Sequence, residues 1–150
     1  MQTKAIERML DKAQKLCLQR NVRLTPQRFQ VLKLMMQQDN AISAYDLLDL
    51  LRIIEPKAKP PTIYRALEFL LEQGFIHKIE STNSYILCHH FDHPSHTSAL
   101  FICDNCNSVT EHHVEGIERI LQTIADKTSF NLKHSVVETH GTCRACSNNR

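Results

Sequence analysis

The sequence predicts an α+β chain in two parts: a helical front part closed by a β-hairpin, and a smaller mixed back part stapled by metal. Three observations predict it. Apolar residues recur at helical spacing in four segments before Gly74. Two short β-rich runs follow directly, at 75–80 and 84–88. Two identically spaced cysteine pairs, Cys103-Asp-Asn-Cys106 and Cys143-Arg-Ala-Cys146, then occupy the back part.

The first helix covers 4–20, where charged residues alternate with Ile6, Met9, Leu10, Ala13, Leu16 and Cys17; that stripe makes Cys17 a core residue. Thr25-Pro26 starts the second, a capping hydroxyl followed by a proline whose fixed φ suits a first turn. Phe29, Leu32 and Met36 form its buried face, and Asp39-Asn40 breaks it. Ser43 caps the third helix, with Asp46 completing a capping-box pattern, and Leu47, Leu48, Leu50, Leu51 and Ile54 form its core side. Pro60-Pro61 opens the fourth and Gly74 closes it. Ile63, Leu67, Leu70 and Leu71 point inward there, leaving Thr62, Tyr64, Arg65 and Glu68 outward.

The hairpin turns at Ser81-Thr82-Asn83. Helices followed by such a hairpin make a winged helix-turn-helix pattern, with 60–73 as the recognition helix that enters a DNA groove. This assigns residues 1–88 to a DNA-binding domain and the polar, proline-broken stretch 89–98 to a linker. The remainder, 99–150, reads as a strand at 100–102, the first cysteine pair, a helix near 114–127, a strand at 132–139 and the second pair. The back half with its linker, about 60 residues, is marginal for a self-sufficient core. A metal staple and a partner subunit are the expected remedies.

With 42% apolar and 23% charged residues in 150, the composition excludes wholesale disorder. No apolar run approaches the roughly 18 residues that a membrane span needs. The N-terminus is charged throughout and lacks a signal peptide's apolar core, so the cytoplasm is the expected compartment. Thiolates there bind metal rather than pair. The net charge of +2 hides an asymmetry: residues 1–85 hold 13 Lys/Arg against 9 Asp/Glu, and residues 86–150 hold 5 against 7. All nine histidines and five of the six cysteines lie from His77 onward. A mildly basic, ligand-poor front therefore precedes an acidic, ligand-rich back, and the basic part suits a polyanion.

Two residues between cysteines let both thiolates reach one ion from a single turn, and two such turns complete a tetrahedron. Four thiolates leave no open position, which describes structural rather than catalytic zinc. The 36 intervening residues (107–142) exceed a zinc ribbon's usual gap, so secondary structure must fold between the pairs. A thiol-disulfide enzyme is the other reading, but neither pair follows a strand in a thioredoxin-like setting. His113-Val-Glu115 followed by Cys143-Arg-Ala-Cys146 also imitates a zinc deaminase signature. Thr142 stands where that signature has proline, however, and Cys103 and Cys106 would be stranded. The chain is read as a binding protein, not an enzyme.

The segments R-L-T-P-Q-R (23–28), P-T-I-Y-R-A-L-E-F-L (61–70), Gly74-Phe75-Ile76-His77 and the two cysteine pairs together resemble the ferric-uptake-regulator family of bacterial metal-responsive repressors, and most closely its zinc-uptake-regulator branch. The resemblance covers nearly the whole chain. It implies a winged-helix domain, a C-terminal α/β dimerisation domain stapled by zinc, and a metal that switches DNA binding. The chain would then be a Zn(II)-loaded homodimer on palindromic operator DNA, nucleoid-associated when metal-loaded, repressing zinc-uptake genes. With Arg150 as the last residue, any His-rich tail found in relatives is expected to be missing.

A closed four-thiolate site makes a poor sensor, since it stays filled once the protein has folded. Sensing needs a second, weaker site. His77, Cys88, His96 and Glu111 match the family's regulatory ligands by resemblance, and they are residue types that bind zinc on both sides of the linker. This makes two Zn(II) per subunit, structural at Cys103, Cys106, Cys143 and Cys146 and regulatory at the second set. One thiolate among the regulatory ligands favours zinc over iron(II) or manganese, which prefer nitrogen and oxygen. An iron- or manganese-responsive relative and a constitutive zinc-stapled DNA-binding protein are the alternatives. His89, His90, His93, His112 and His113 are read as solvated, though they could form a third site, and His140 as exposed or beside the cluster.

On the DNA face, Arg65 is the candidate for base reading, because a guanidinium can bridge guanine O6 and N7. Tyr64 and Tyr45 are candidates for phosphate or thymine-methyl contacts, and Lys57 and Lys59 for phosphates. Arg23, Arg28 and Lys78 are weaker phosphate candidates. Asp49 and Arg52, at i and i+3 on the third helix, form either a local ion pair or a contact between two dimers side by side on one operator.

Overall fold

The computed structural model describes residues 3–92 and 97–148. Two compact units divide between Asp92 and His93. In the first, α1 (Thr3–Gln19), α2 (Pro26–Met36), α3 (Ala44–Ile54) and α4 (Pro60–Glu72) precede the strands β2 (Ile76–Ile79) and β3 (Ser84–Leu87), and the short β1 (Ile42–Ser43) lies between α2 and α3.

Local signals account for the helix ends. The Thr25 hydroxyl accepts from the Arg28 N–H, and Ser43 accepts from the Asp46 N–H, each satisfying a donor the helix itself cannot pair. Gly74 has φ +76° with open space around it, so a left-handed backbone is what requires glycine there. The Phe75 N–H then reaches the Leu70 carbonyl at 3.0 Å and the Gly74 N–H the Leu71 carbonyl at 3.0 Å, closing α4.

The buried stripe of α1 is Ile6, Leu10, Ala13 and Cys17, as its sequence pattern predicts. It joins Leu32, Met35 and Met36 of α2, Leu47, Leu48 and Leu51 of α3, and Ile63, Leu67 and Leu70 of α4 in one core. Ala66 and Phe69 are buried on α4 as well. Phe91, inside the stretch read as linker, belongs to this core, with its ring edge-on to Phe75 at 5.2 Å.

Two expectations are corrected. Ile54 is exposed rather than core-facing, because the backbone leaves the helix at Glu55 (φ −122°, ψ 84°) and Ala58 is buried instead. The hairpin also gains a third strand: Ile42 and Ser43 pair with Tyr85 and Ser84, because the residue that caps α3 is itself extended (Ser43 ψ 159°).

The second unit holds β4 (Ser98–Cys103), β5 (Val109–His113), α5 (Ile117–Lys127), β6 (Val136–Gly141) and α6 (Arg144–Asn148). The central strand β4 is antiparallel to β5 and parallel to β6. Sequence reading missed β5 and α6, whose polar runs carry no apolar alternation. The Thr97 N–H donates to Glu118 Oε1 at 2.6 Å, tying the first turn of α5 to the start of the sheet.

This unit buries little of its own apolar surface. Of α5 only Ala125 is buried, while Ile120 and Ile124 are 61% and 54% exposed, and Phe101 and Phe130 are exposed too. An apolar face this open calls for another surface to cover it. Among the described residues no helix is long and apolar enough to cross a membrane. A second copy of the chain is the cover we expect. Ile120→Asp with Ile124→Asp should shift the protein from dimer to monomer in sedimentation velocity; a dimer that survives both charges contradicts this.

Candidate metal centres and nucleic-acid surface

The turn after β4 presents the first cysteine pair. The Cys103 N–H bonds the Ser108 carbonyl at 2.9 Å and the Asn107 N–H bonds the Cys103 carbonyl at 2.9 Å, with Asn107 in the left-handed region (φ +60°) to close the turn. The Asp104 N–H reaches the Gly141 carbonyl at 2.8 Å, so the end of β6 lies beside this turn. The second pair begins two residues later and leads into α6. The register of β4 against β6 thus joins cysteines 37 to 43 positions apart in sequence.

The four Sγ atoms of Cys103, Cys106, Cys143 and Cys146 lie within 4.8 Å of one another. Cys106 and Cys143 are 3.8 Å apart. Zinc–thiolate bonds of about 2.3 Å in a tetrahedron require sulfurs about 3.8 Å apart, so the donor set fits that ion. The thiols are already polarised unequally. Backbone N–H groups of Cys143 and Cys106 lower Cys103 to about 6. At Cys146 the Asn105 side chain lowers the value, but the Cys143 sulfur, burial and the other two sulfurs outweigh it and raise it to about 11. The Ser108 hydroxyl and backbone lower Cys106 as well, so the first pair leans toward thiolate while Cys146 leans away from it, the starting point for metal capture with proton release. Drawing all four cysteines together leaves no pair to serve as the deaminase half-site.

His140 and Asp104 flank the cluster, with Nδ1 3.3 Å from Oδ1, and Glu138 Oε1 stands 3.9 Å from the other ring nitrogen. Sequence reading placed His140 only as exposed or adjacent. Glu138 precedes it by two residues on β6, whereas Asp104 comes alongside only because β4 pairs with β6, which is not visible in a linear pattern.

Among the candidate regulatory ligands, His77 is half-buried on β2 and Cys88 is buried just after β3. A ring nitrogen of His77 and the Cys88 sulfur lie within 4.8 Å. The Cys88 N–H donates to the Phe75 carbonyl at 2.9 Å, and the His90 N–H points at the Cys88 sulfur at 3.4 Å. Glu111 is half-buried on β5 in the second unit, opposite Leu100. His96 lies outside the described residues.

On the first unit, α4 exposes Tyr64, Arg65 and Glu68 from one side while its other side is core. Tyr45 is 63% exposed at the start of α3, and Lys57 and Lys59 are exposed in the turn before α4. Asp49 and Arg52 are exposed on α3, and Arg52 Nε donates to the Ala58 carbonyl at 2.9 Å, fastening the α3–α4 turn. Two of the weaker phosphate candidates have other engagements. Arg28 stacks over Phe69 at 4.0 Å and donates to the Arg23 carbonyl, and Lys78 pairs with Glu80 at 3.5 Å. Tyr45, Lys57, Lys59, Tyr64 and Arg65 are all solvent-accessible polar or cationic groups around one helix-turn-helix, which is what a phosphate-and-base surface needs.

Comparison with known proteins agrees with this anatomy. The family model described as the ferric uptake regulator family matches residues 19–140. The chain is 64% identical over 146 residues to the zinc uptake regulation protein of Escherichia coli (strain K12), covering 97% of this chain and 85% of that protein. A zinc uptake regulator complexed with zinc and DNA has a similar structure, with TM-score 0.89 and 62% identity over 99% of this chain and 98% of the other. Holo XcZur follows with TM-score 0.82 and 36% identity over 93% and 97% of the two chains. A family model spanning most of the sequence and a 64% identical relative over nearly all of it leave one conclusion: the chain belongs to the ferric uptake regulator family.

Proposed function

We propose that the protein is a zinc-responsive transcriptional repressor that binds palindromic operator DNA as a Zn(II)-loaded homodimer in the cytoplasm and represses zinc-uptake genes. The observation that carries this reading is the likeness, at TM-score 0.89 and 62% identity, to a regulator complexed with zinc and DNA. Each subunit holds two zinc ions in this reading. Cys103, Cys106, Cys143 and Cys146 keep the structural one. His77, Cys88, His96 and Glu111 hold the regulatory one, drawing ligands from both sides of the linker so that binding energy becomes domain orientation. Moving from 1% to 99% competent takes about 5.5 kcal/mol of differential affinity, within reach of a multidentate site.

Arg65 reads bases from the major groove, Tyr64 and Tyr45 support it, and Lys57 and Lys59 meet phosphates. The modest charge of the front half means few phosphates per subunit, so metal and dimerisation must supply the rest of the affinity. The buried thiol of Cys88 disfavours an iron- or manganese-responsive reading, because those ions prefer oxygen and nitrogen donors. A repressor of this kind moves no bonds, and none of its residues is assigned a catalytic role.

The decisive variant is Cys88→Ser. It should keep its fold and its structural zinc but lose zinc-dependent binding to the DNA duplex of the complexed relative; normal zinc-dependent binding removes Cys88 from the switch.

Cys106→Ser acts on the other ion. Structural zinc contributes about 10–16 kcal/mol in small zinc-finger peptides, so the second unit should become protease-sensitive and lose its metal. A protease-resistant, zinc-loaded variant contradicts the structural assignment. Since Cys146 must lose a proton held up to about 11, zinc affinity at this cluster should fall on acidification, measurable as competition with a chelator at descending pH.

We also propose that Asp49 and Arg52 join neighbouring dimers on one operator. Asp49→Arg should then reduce cooperativity on a two-dimer duplex while leaving single-site affinity intact, and unchanged cooperativity rules the contact out.

A further inference from the structure

Arg20, at the end of α1, has no part in the metal or DNA assignments above, yet its surroundings join both. Its guanidinium NH1 donates to the Gln73 backbone carbonyl at 2.7 Å and lies 3.3 Å from the Gln73 side-chain oxygen. It therefore places a full positive charge on the C-terminal carbonyls of α4, the negative end of the helix that carries Arg65. The same guanidinium sits 5.7 Å over the Phe75 ring. Phe75 is fully buried one residue beyond Gly74, and its carbonyl accepts the Cys88 N–H at 2.9 Å. Its ring also meets Phe91 edge-on at 5.2 Å, and Asp92, one residue on, pairs with Lys12 of α1 at 3.5 Å.

Each link is short and within the first unit. The Cys88 N–H holds the Phe75 carbonyl, Phe75 follows α4 across the two-residue Gln73-Gly74 turn with its own N–H on the Leu70 carbonyl, and Arg20 fixes that junction to the end of α1. Without a fixed point, a displacement at Cys88 could be absorbed by rotation of Phe75 and fraying of the last turn of α4. With it, the displacement must move the recognition helix as a body.

We infer that Arg20 is a positioning residue that couples the metal-bearing end of β3 to the recognition helix. The inference rests on the reading of Cys88 as a regulatory ligand. It also carries a thermodynamic signature, because coupling is reciprocal: whatever reduces zinc's effect on DNA affinity must reduce DNA's effect on zinc affinity by the same factor.

The test uses the full-length protein and the DNA duplex of the complexed relative, in buffered zinc and after removal of the weaker ion. The quantity read is the ratio of DNA affinities in the two metal states. Arg20→Gln should lower that ratio at least tenfold while the four-cysteine cluster keeps its zinc. Arg20→Lys, which retains a cation for the Gln73 carbonyl, should recover most of it and guards against simple misfolding of the first variant. Zinc affinity measured with and without DNA should change by the same factor. A ratio equal to wild type in Arg20→Gln, or an equal loss of DNA affinity in both metal states, overturns the inference and assigns Arg20 a structural role only. Wild-type DNA binding that ignores zinc overturns the parent reading of Cys88, and this inference with it.

Discussion

Four sulfur atoms that must converge within 4.8 Å constrain the second unit more than any other interaction. One pair rides on the turn after the central strand, and the other on the exit from an edge strand that runs parallel to it. The sheet register decides whether the thiols meet, and the thiols in turn hold the sheet's ends together. A unit this poor in buried apolar area has few other sources of rigidity: α5 contributes one buried alanine, and large apolar side chains along it remain open for a partner to cover. Metal and dimer are two answers to one shortage of core.

The first unit has the opposite character. Its core is continuous from α1 to Phe91 and needs no metal. Its outward residues are therefore free to be chosen for DNA, and the inner ones for packing, so α4 divides cleanly into Ile63, Leu67 and Leu70 on one side and Tyr64, Arg65 and Glu68 on the other. Charge gives the two proposed zinc sites different roles. Four thiolates around Zn(II) would leave the proposed structural site at −2. One thiolate, one carboxylate and two neutral imidazoles would leave the proposed regulatory site neutral.

The front half was legible because each helix carries its own local punctuation. Thr25-Pro26, Ser43, Pro60-Pro61 and Gly74 mark ends by backbone chemistry that needs no tertiary information, and the structure places caps and closures there. The back half was less legible for a physical reason. Val109–His113 and Arg144–Asn148 are polar and short, so neither an alternating nor a helical apolar pattern reveals them; strand pairing and the cysteine turn define them instead. Ile54 has the apolar spacing of a core residue but stays exposed, because it is the last residue of α3 and the chain leaves the helix directly after it, at Glu55. The cysteine cluster could be read from its spacing alone. The His140–Asp104 brace, Arg28 over Phe69 and the Arg20 anchor could not, since each depends on which elements the fold brings side by side.

The central claim is that a second, weaker zinc, distinct from the four-cysteine ion, decides whether the recognition helices engage DNA. The most direct measurement follows metal content and DNA affinity together as a chelator of graded strength is added to the full-length dimer. The account predicts a plateau near two zincs per chain and a drop to one that coincides with loss of DNA binding, with the second unit still folded. DNA affinity that persists at one zinc per chain, and falls only when the cysteine cluster empties, would contradict it.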